Sequence, residues 1–257
     1  MLKKQVHDLA YLAFDKLDSY GCLKHGVSLR RQTFTEAEFN FSSNSTERAG
    51  QCRNQFCHGL SLQPENVVRV KQVHGAEIAV VERNGASLME ADGLCTDIAG
   101  TGIILLGADC PLIIVFDPQR PAVGLAHTGW RGTVQRISRN LVQTMAAHYG
   151  SDPGRLIAGI GPGICKNCFE VGPEVIAEAE KSLPFSEQVI VPPDEASTPK
   201  SHFDLIEANR LELRACGLQE QNIEVSRYCT FERTDLFYSY RREGKIAGRW
   251  ALLAGIA

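Results

Sequence analysis

The sequence predicts an α+β fold with mixed β-sheets, and three observations carry that expectation. Continuous apolar runs at 103–106 and 112–116 suit strands covered on both faces. Segments with apolar residues at helical spacing or with capping residues, around 134–145, 173–181 and 204–215, read as helices. The two kinds do not alternate regularly, which disfavours a doubly wound sheet or a barrel. With 257 residues, 44% of them hydrophobic, the chain can bury a large core as a single domain spanning 1–257.

Taken in order, residues 1–20 place Val6, Leu9, Ala13, Phe14 and Leu17 at helical spacing, so an N-terminal surface helix is expected over about 1–20. Its acids Asp8, Asp15 and Asp18 argue against a targeting helix, and it lacks the apolar core of a secretory signal. Residues 33–53 and 192–201 are polar loops. Residues 67–73 alternate apolar and polar side chains before Gly75, and 78–81 resume as a strand, which puts His74 at a bend. Pro111 cannot donate to a ladder, so a break falls between the runs 103–106 and 112–116. Residues 122–126 form another strand, and 127–133 are a glycine-bracketed turn into a helix with Val134, Ile137, Leu141 and Met145 on one face. Residues 156–160 read as a strand, 173–181 as a helix, and 204–215 as a helix capped by Asp204, with Glu207 completing a capping box and Gly217 ending it. Residues 223–226, 237–241 and 247–252 read as strands.

Twenty-seven Lys and Arg against 30 Asp and Glu give a net charge of −3, which excludes a dedicated nucleic-acid binder. The apolar stretch 103–116 is broken by Gly107, Asp109 and Pro111 and falls short of the roughly 18 residues a membrane span requires. Nine cysteines, an odd number without a secretory signal, point to reduced thiols and a cytoplasmic protein.

Three residues with ligand atoms interrupt apolar surroundings where the chain turns: His74, Cys110 and His127. Two imidazoles and a thiolate can hold a tetrahedral ion and leave a fourth position open, as a catalytic zinc site requires. Their separations, 36 and 17 residues, form no local metal motif, and buried cysteines or strand-end histidines commonly only pack. The same residues support another reading, with Cys110 as nucleophile, His127 as its base, and Asp109 or another acid orienting the imidazole. Cys165 and Cys168 form a C-x-x-C pair in GPGICKNCFEVG, but no second C-x-x-C completes a four-sulfur site, so a turn with two reduced thiols is expected there. HTGWRGT at 127–133 places Arg131 just before a helix, where backbone N–H groups favour an anion such as phosphate. Arg241 and Arg242 in YSYRREG offer a second positive edge.

Together KQVHG at 71–75, ADG at 91–93, GADCPL at 107–112, AHTGWRG at 126–132, IGPGICKNCFEVG, the Cys229-Thr230 pair and YSYRREG resemble the laccase-domain, or polyphenol oxidase-like, family from about residue 25 onward. The resemblance implies an α+β layered sandwich with mixed β-sheets and zinc-dependent purine nucleoside phosphorylases with adenosine deaminase activity, with His74, Cys110 and His127 as zinc ligands. Adenosine, inosine, guanosine or S-methylthioadenosine and phosphate are the implied substrates. Asp109 would handle a proton or orient a ligand, Arg131 would meet phosphate, and Phe169, Arg241 and Arg242 would line the substrate. The segment 30–53 departs from the family pattern: HGVSLRRQTF stands where a Gly-Gly-containing stretch is usual, although Asn40 and Arg53 match later positions. Two alternatives remain beside this expectation. One is a cysteine-type amidase acting on a peptide or cell-wall precursor. The other is a copper-dependent polyphenol oxidase, against which stand only seven histidines and no H-x-H pair; copper would enter an N/S site adventitiously.

Overall fold

Two six-stranded sheets pack face to face, in a computed structural model that describes residues 1–32, 38–42, 46–82, 89–193 and 200–257. The strands are β1 (Leu2–Val6), β2 (Leu9–Ala13), β3 (Leu23–Ser28), β4 (Val67–Val68), β5 (Ile78–Val80), β6 (Gly93–Thr96), β7 (Gly102–Gly107), β8 (Leu112–Asp117), β9 (Ala122–His127), β10 (Ile157–Ile160), β11 (Ile190–Val191), β12 (His202–Phe203), β13 (Ile223–Val225) and β14 (Trp250–Ile256). The first sheet runs β1-β2-β3-β14-β7-β4 and is antiparallel except at its β4–β7 edge. The second runs β13-β10-β8-β9-β6-β5, antiparallel through its centre and parallel at both edges. β11 and β12 form a small antiparallel pair of their own.

The apolar runs explain this layering, because successive side chains on a strand face opposite sides. Ile103 and Leu105 of β7, Leu252 and Ala254 of β14, and Leu112, Ile114 and Phe116 of β8 meet between the sheets. Their neighbours Ile104, Ala251 and Leu253 face outward against α2 (Thr46–Gly59), which brings Cys52, Phe56 and Cys57. Ile113 and Val115 face the other way, against Ile137, Leu141 and Met145 of α4 (Ile137–Tyr149) and Leu213 of α7 (Leu205–Ala215). The result is helix, sheet, sheet, helix, the expected α+β sandwich with mixed sheets. Each large apolar side chain so buried contributes roughly 1.5–3 kcal/mol. A further cluster joins α3 (Trp130–Val134), α5 (Pro173–Ser182), α6 (Ser186–Val189) and α7 beside the second sheet.

Several sequence expectations are corrected. Residues 1–20 are not a helix but the β1–β2 hairpin, turned by His7 at φ 50, with only the single turn α1 (Asp15–Asp18) after it. Leu9 to Ala13 are all buried, Ala10 and Leu12 toward one core and Leu9, Tyr11 and Ala13 toward the other, so two-sided cover and pairing with β3 override the helical spacing. The alternating stretch 67–73 pairs only at Val67–Val68, apart from a bridge at Lys71; Val73, His74 and Gly75 instead spend their N–H groups on Asp92. The helix after 130 is split, because Arg136 adopts φ 63 while its guanidinium reaches the buried Glu212. Residues 237–241 are not a strand: Phe237 and Tyr238 are buried, and α8 (Tyr240–Glu243) begins at once, with the Ser239 hydroxyl accepting from Arg242 N. The last strand starts at Trp250, since Arg249 N is bound to Asn40 Oδ1 and Arg249 O to Phe41 N. In α7, Asp204 caps Glu207 N as expected, but the Glu207 carboxylate binds Arg210 and does not close a capping box. The expected polar loop 33–53 is also corrected at its end, where 46–53 open α2 because Cys52 with Phe56 and Cys57 packs against the first sheet, while 33–37, 43–45 and 194–199 lie outside the described residues.

Candidate metal centre

Antiparallel pairing of β8 with β9 sets Leu112 opposite His127, so Cys110, two residues before Leu112, arrives beside the last residue of β9. Thr128 fastens the junction, its N–H and hydroxyl both donating to Pro111 O at 2.9 and 2.8 Å. Asp109 at φ 85 turns the chain sharply before Cys110. His74, itself at φ 62, is delivered by a segment lying alongside residue 92. The ligand atoms of His74, Cys110 and His127 lie within 4.8 Å of one another, and the two imidazoles meet edge to face at 4.9 Å.

The residue that assembles this trio is Asp92, fully buried at the entry to β6. Its carboxylate accepts the backbone N–H groups of Val73 (3.0 Å), His74 (3.0 Å) and Gly75 (2.6 Å), and contacts His127 Nδ1 at 2.9 Å. An imidazole that donates Nδ1–H to a carboxylate presents Nε2 as its ligand atom, with its ring orientation held. Burial opposes charge on Asp92, but His127 and these N–H groups hold its carboxyl below the usual range. Burial likewise opposes charge on Cys110 and His127, yet each favours the ionised form of the other, so the thiol is held low and the imidazole high. Gly129 lies against the trio. A Cβ there would sit 3.0 Å from Cys110 Sγ and 3.4 Å from His74 Cδ2, so only glycine leaves the space beside the three ligands clear. One thiolate and two imidazoles fit a borderline metal ion such as zinc.

A family model described as multi-copper polyphenol oxidoreductase laccase matches residues 5–257. The chain belongs to this family. A purine nucleoside phosphorylase from Bacteroides thetaiotaomicron is 31% identical over 97% of this chain and 96% of its own length. Adenosine deaminase RL5, from an unknown prokaryotic organism, is 37% identical over 74% of this chain and 75% of its own. The crystal structure of YlmD from Geobacillus stearothermophilus superimposes with a TM-score of 0.85 at 29% identity, covering 98% of this chain and 97% of that one.

The other site candidates of this laccase-family chain fall into two groups. Asp109 is buried and its two oxygens are taken, one by the Thr230 hydroxyl at 2.7 Å and one by Arg241 N at 2.6 Å. Arg241 in turn stacks over Phe169 at 5.1 Å and donates to Glu170 O at 2.9 Å, so Asp109, Phe169 and Arg241 form one unit beside Cys110. Arg242 points to Phe231, over its ring at 4.1 Å and onto its carbonyl at 2.9 Å. Arg131 is exposed and stacks on Trp130 at 4.3 Å, in the first turn of α3. Sequence reasoning assigned no role to Asp92. The signal was present in the A-D-G motif, an acid entering an apolar strand directly before a glycine. No helix among the described residues is long and apolar enough to cross a membrane.

Proposed function

We propose that this chain is a zinc enzyme that cleaves the N-glycosidic bond of purine nucleosides with phosphate and also deaminates adenosine. The observation that carries the reading is the convergence of His74, Cys110 and His127 beside Gly129: a set of three ligands with no fourth among the described residues is the form of a catalytic zinc site, whereas structural sites are closed by four ligands. The names of the Bacteroides relative and of RL5 support the substrate class, for which adenosine, inosine, guanosine and S-methylthioadenosine are the candidates. A cytoplasmic setting agrees with nine cysteines that are all free thiols.

Zinc held in this set would supply a Lewis acid and lower the pKa of a water molecule. The chain's own residues do the rest. Asp92 keeps His127 and the His74 segment in register. Arg131 and Arg241 offer the cations that phosphate needs, with Arg242 at the edge, and Phe169 offers a ring face to the purine. Asp109, with both oxygens engaged, positions Arg241. In phosphorolysis a phosphate oxygen bonds to ribose C1′ as the bond from C1′ to the purine breaks, and the base leaves with a proton. In deamination water adds at C6 and ammonia leaves, giving inosine. A nucleoside panel with and without phosphate, read by chromatography, tests this: adenosine should yield adenine with phosphate and inosine without it. Turnover that persists in metal-free protein would sink the reading.

A second reading is favoured by the order Cys110, His127, Asp92, a thiol of lowered pKa beside an imidazole held by a carboxylate, as in a cysteine amidase. Zinc bound at Cys110 would silence it as a nucleophile. Rapid alkylation of Cys110 by iodoacetamide in zinc-loaded protein would therefore select the amidase. Copper-dependent polyphenol oxidation has less support, since among the described residues the other five histidines join neither cluster of potential metal ligands.

A further inference from the structure

A second group of ligand atoms converges well apart in sequence from the first. The sulfurs of Cys165, Cys168 and Cys229 and a carboxylate oxygen of Glu232 all lie within 4.8 Å of one another. Cys165 precedes and Cys168 ends one turn of 3-10 helix, Lys166–Cys168, in which Cys168 N donates to Cys165 O at 3.0 Å, and their sulfurs lie together. Cys229 comes from the neighbouring segment, where it bridges Gly163 in parallel and Thr230 N donates to Gly163 O at 3.1 Å. Cys165 N donates to Cys229 Sγ at 3.3 Å, and the Cys165 and Cys168 sulfurs lie 4.0 and 3.7 Å from Glu232 Oε1.

The spacing is C-x-x-C followed by C-x-x-E, so the missing second half of a four-ligand set is supplied with a carboxylate in its last place. Zinc–sulfur bonds of about 2.3 Å in a tetrahedron put the sulfurs about 3.8 Å apart, within the span these atoms already occupy. Three sulfurs and one oxygen close all four positions, which leaves no vacancy for substrate. Cys229 is buried and Glu232 exposed, so an ion would enter from the Glu232 side.

We propose that Cys165, Cys168, Cys229 and Glu232 form a second, structural metal site that takes zinc. The ion would clasp residues 163–168 to residues 229–232. Phe169 follows directly on the first segment, and Thr230 in the second holds Asp109, whose other oxygen holds Arg241. The clasp therefore fixes the loops that carry Phe169 and Arg241 to the strand end that carries Cys110.

The test is elemental analysis of protein made with zinc and kept reduced. About two zinc ions per chain are expected in the wild type, about one in Cys168→Ser and about one in Cys110→Ala. Cobalt(II) loaded into Cys110→Ala should show thiolate-to-metal charge transfer and the absorption of a tetrahedral ion. Should Cys168→Ser fail to fold, mass-spectrometric mapping of alkylation in the wild type serves instead: zinc should slow reaction at Cys165 and Cys168 but not at Cys22 or Cys216, and a chelator should restore it. About one zinc per chain in wild type and Cys168→Ser alike, thiols equally reactive with and without zinc, or a Cys165–Cys168 disulfide in zinc-replete protein would each overturn the proposal.

Discussion

His127 Nδ1 and Asp92 Oδ1 lie 2.9 Å apart, both side chains almost wholly removed from solvent, and the same carboxylate holds the backbone on either side of His74. One acid thus positions two of the three candidate metal ligands. Replacing Asp92 by Asn keeps the volume but removes the charge and one of the two strong acceptors. Zinc affinity, measured by competition with a chromophoric chelator, is expected to fall about 10- to 100-fold. Unchanged affinity would show that the pairing orients nothing.

Gly129 tests the packing against the centre separately. Its φ of −63 suits any residue, so Gly129→Ala carries no backbone strain. Its new methyl would meet Cys110 Sγ at 3.0 Å. Zinc affinity should drop by about tenfold or more, equivalent to about 1.4 kcal/mol, while the melting temperature of metal-free protein changes little. A variant that binds zinc normally would mean that the cluster can move aside.

Arg131→Ala should weaken phosphorolysis far more than deamination, because only phosphorolysis must bind a phosphate anion. A lost charge-assisted bond is worth roughly 1.5–3 kcal/mol, or about 10- to 150-fold at low phosphate. A folding defect would lower both rates together. Equal losses at normal zinc content and melting temperature would pass the role to Arg241, whose guanidinium is already tethered beside Phe169.

His25 sets an acid limit far from the centre. It is buried, its Nε2 accepts Phe14 N–H at 2.9 Å, and burial pushes its pKa down to about 4. The neutral ring is the folded form, so its contribution is complete above the unfolded value of about 6.5 and is lost as pH falls through about 4. A shift of this size corresponds to about 3 kcal/mol. Melting temperature should therefore fall between about pH 6.5 and 4, and His25→Gln should flatten that part of the profile. An unchanged slope in the variant would assign the loss to other groups.

How much of this was legible in the chain follows from the range of each interaction. The uninterrupted runs around 103–106 and 112–116 announced strands with cover on both faces, because period-two side chains on such strands must all be apolar. The N-terminal hairpin was hidden, since Leu9, Ala13 and Leu17 satisfy a helical spacing equally well and only pairing with β3 decides between the two. α8 was hidden for a similar reason: Phe237 and Tyr238 look like a strand until Asp109 takes the N–H of Arg241.

By itself the sequence determined the α+β class with mixed sheets, through apolar runs that suit buried strands, and the sandwich through the family resemblance. It also picked out His74, Cys110 and His127 as candidate ligands and, through the motifs around them, the family. Tertiary structure alone decided which carboxylate serves them. Asp109 is adjacent to Cys110 in the chain, yet its oxygens turn to Thr230 and Arg241, whereas Asp92, 35 residues from His127, meets it across the β6–β9 pair. The C-x-x-C pair was left incomplete for the same reason, since its partners Cys229 and Glu232 lie some 60 residues on and reach it only through the bridge to Gly163. Hydrogen bonds and metal bonds act over about 2–3 Å, and the distance that matters is set by strand register, which no local spacing encodes.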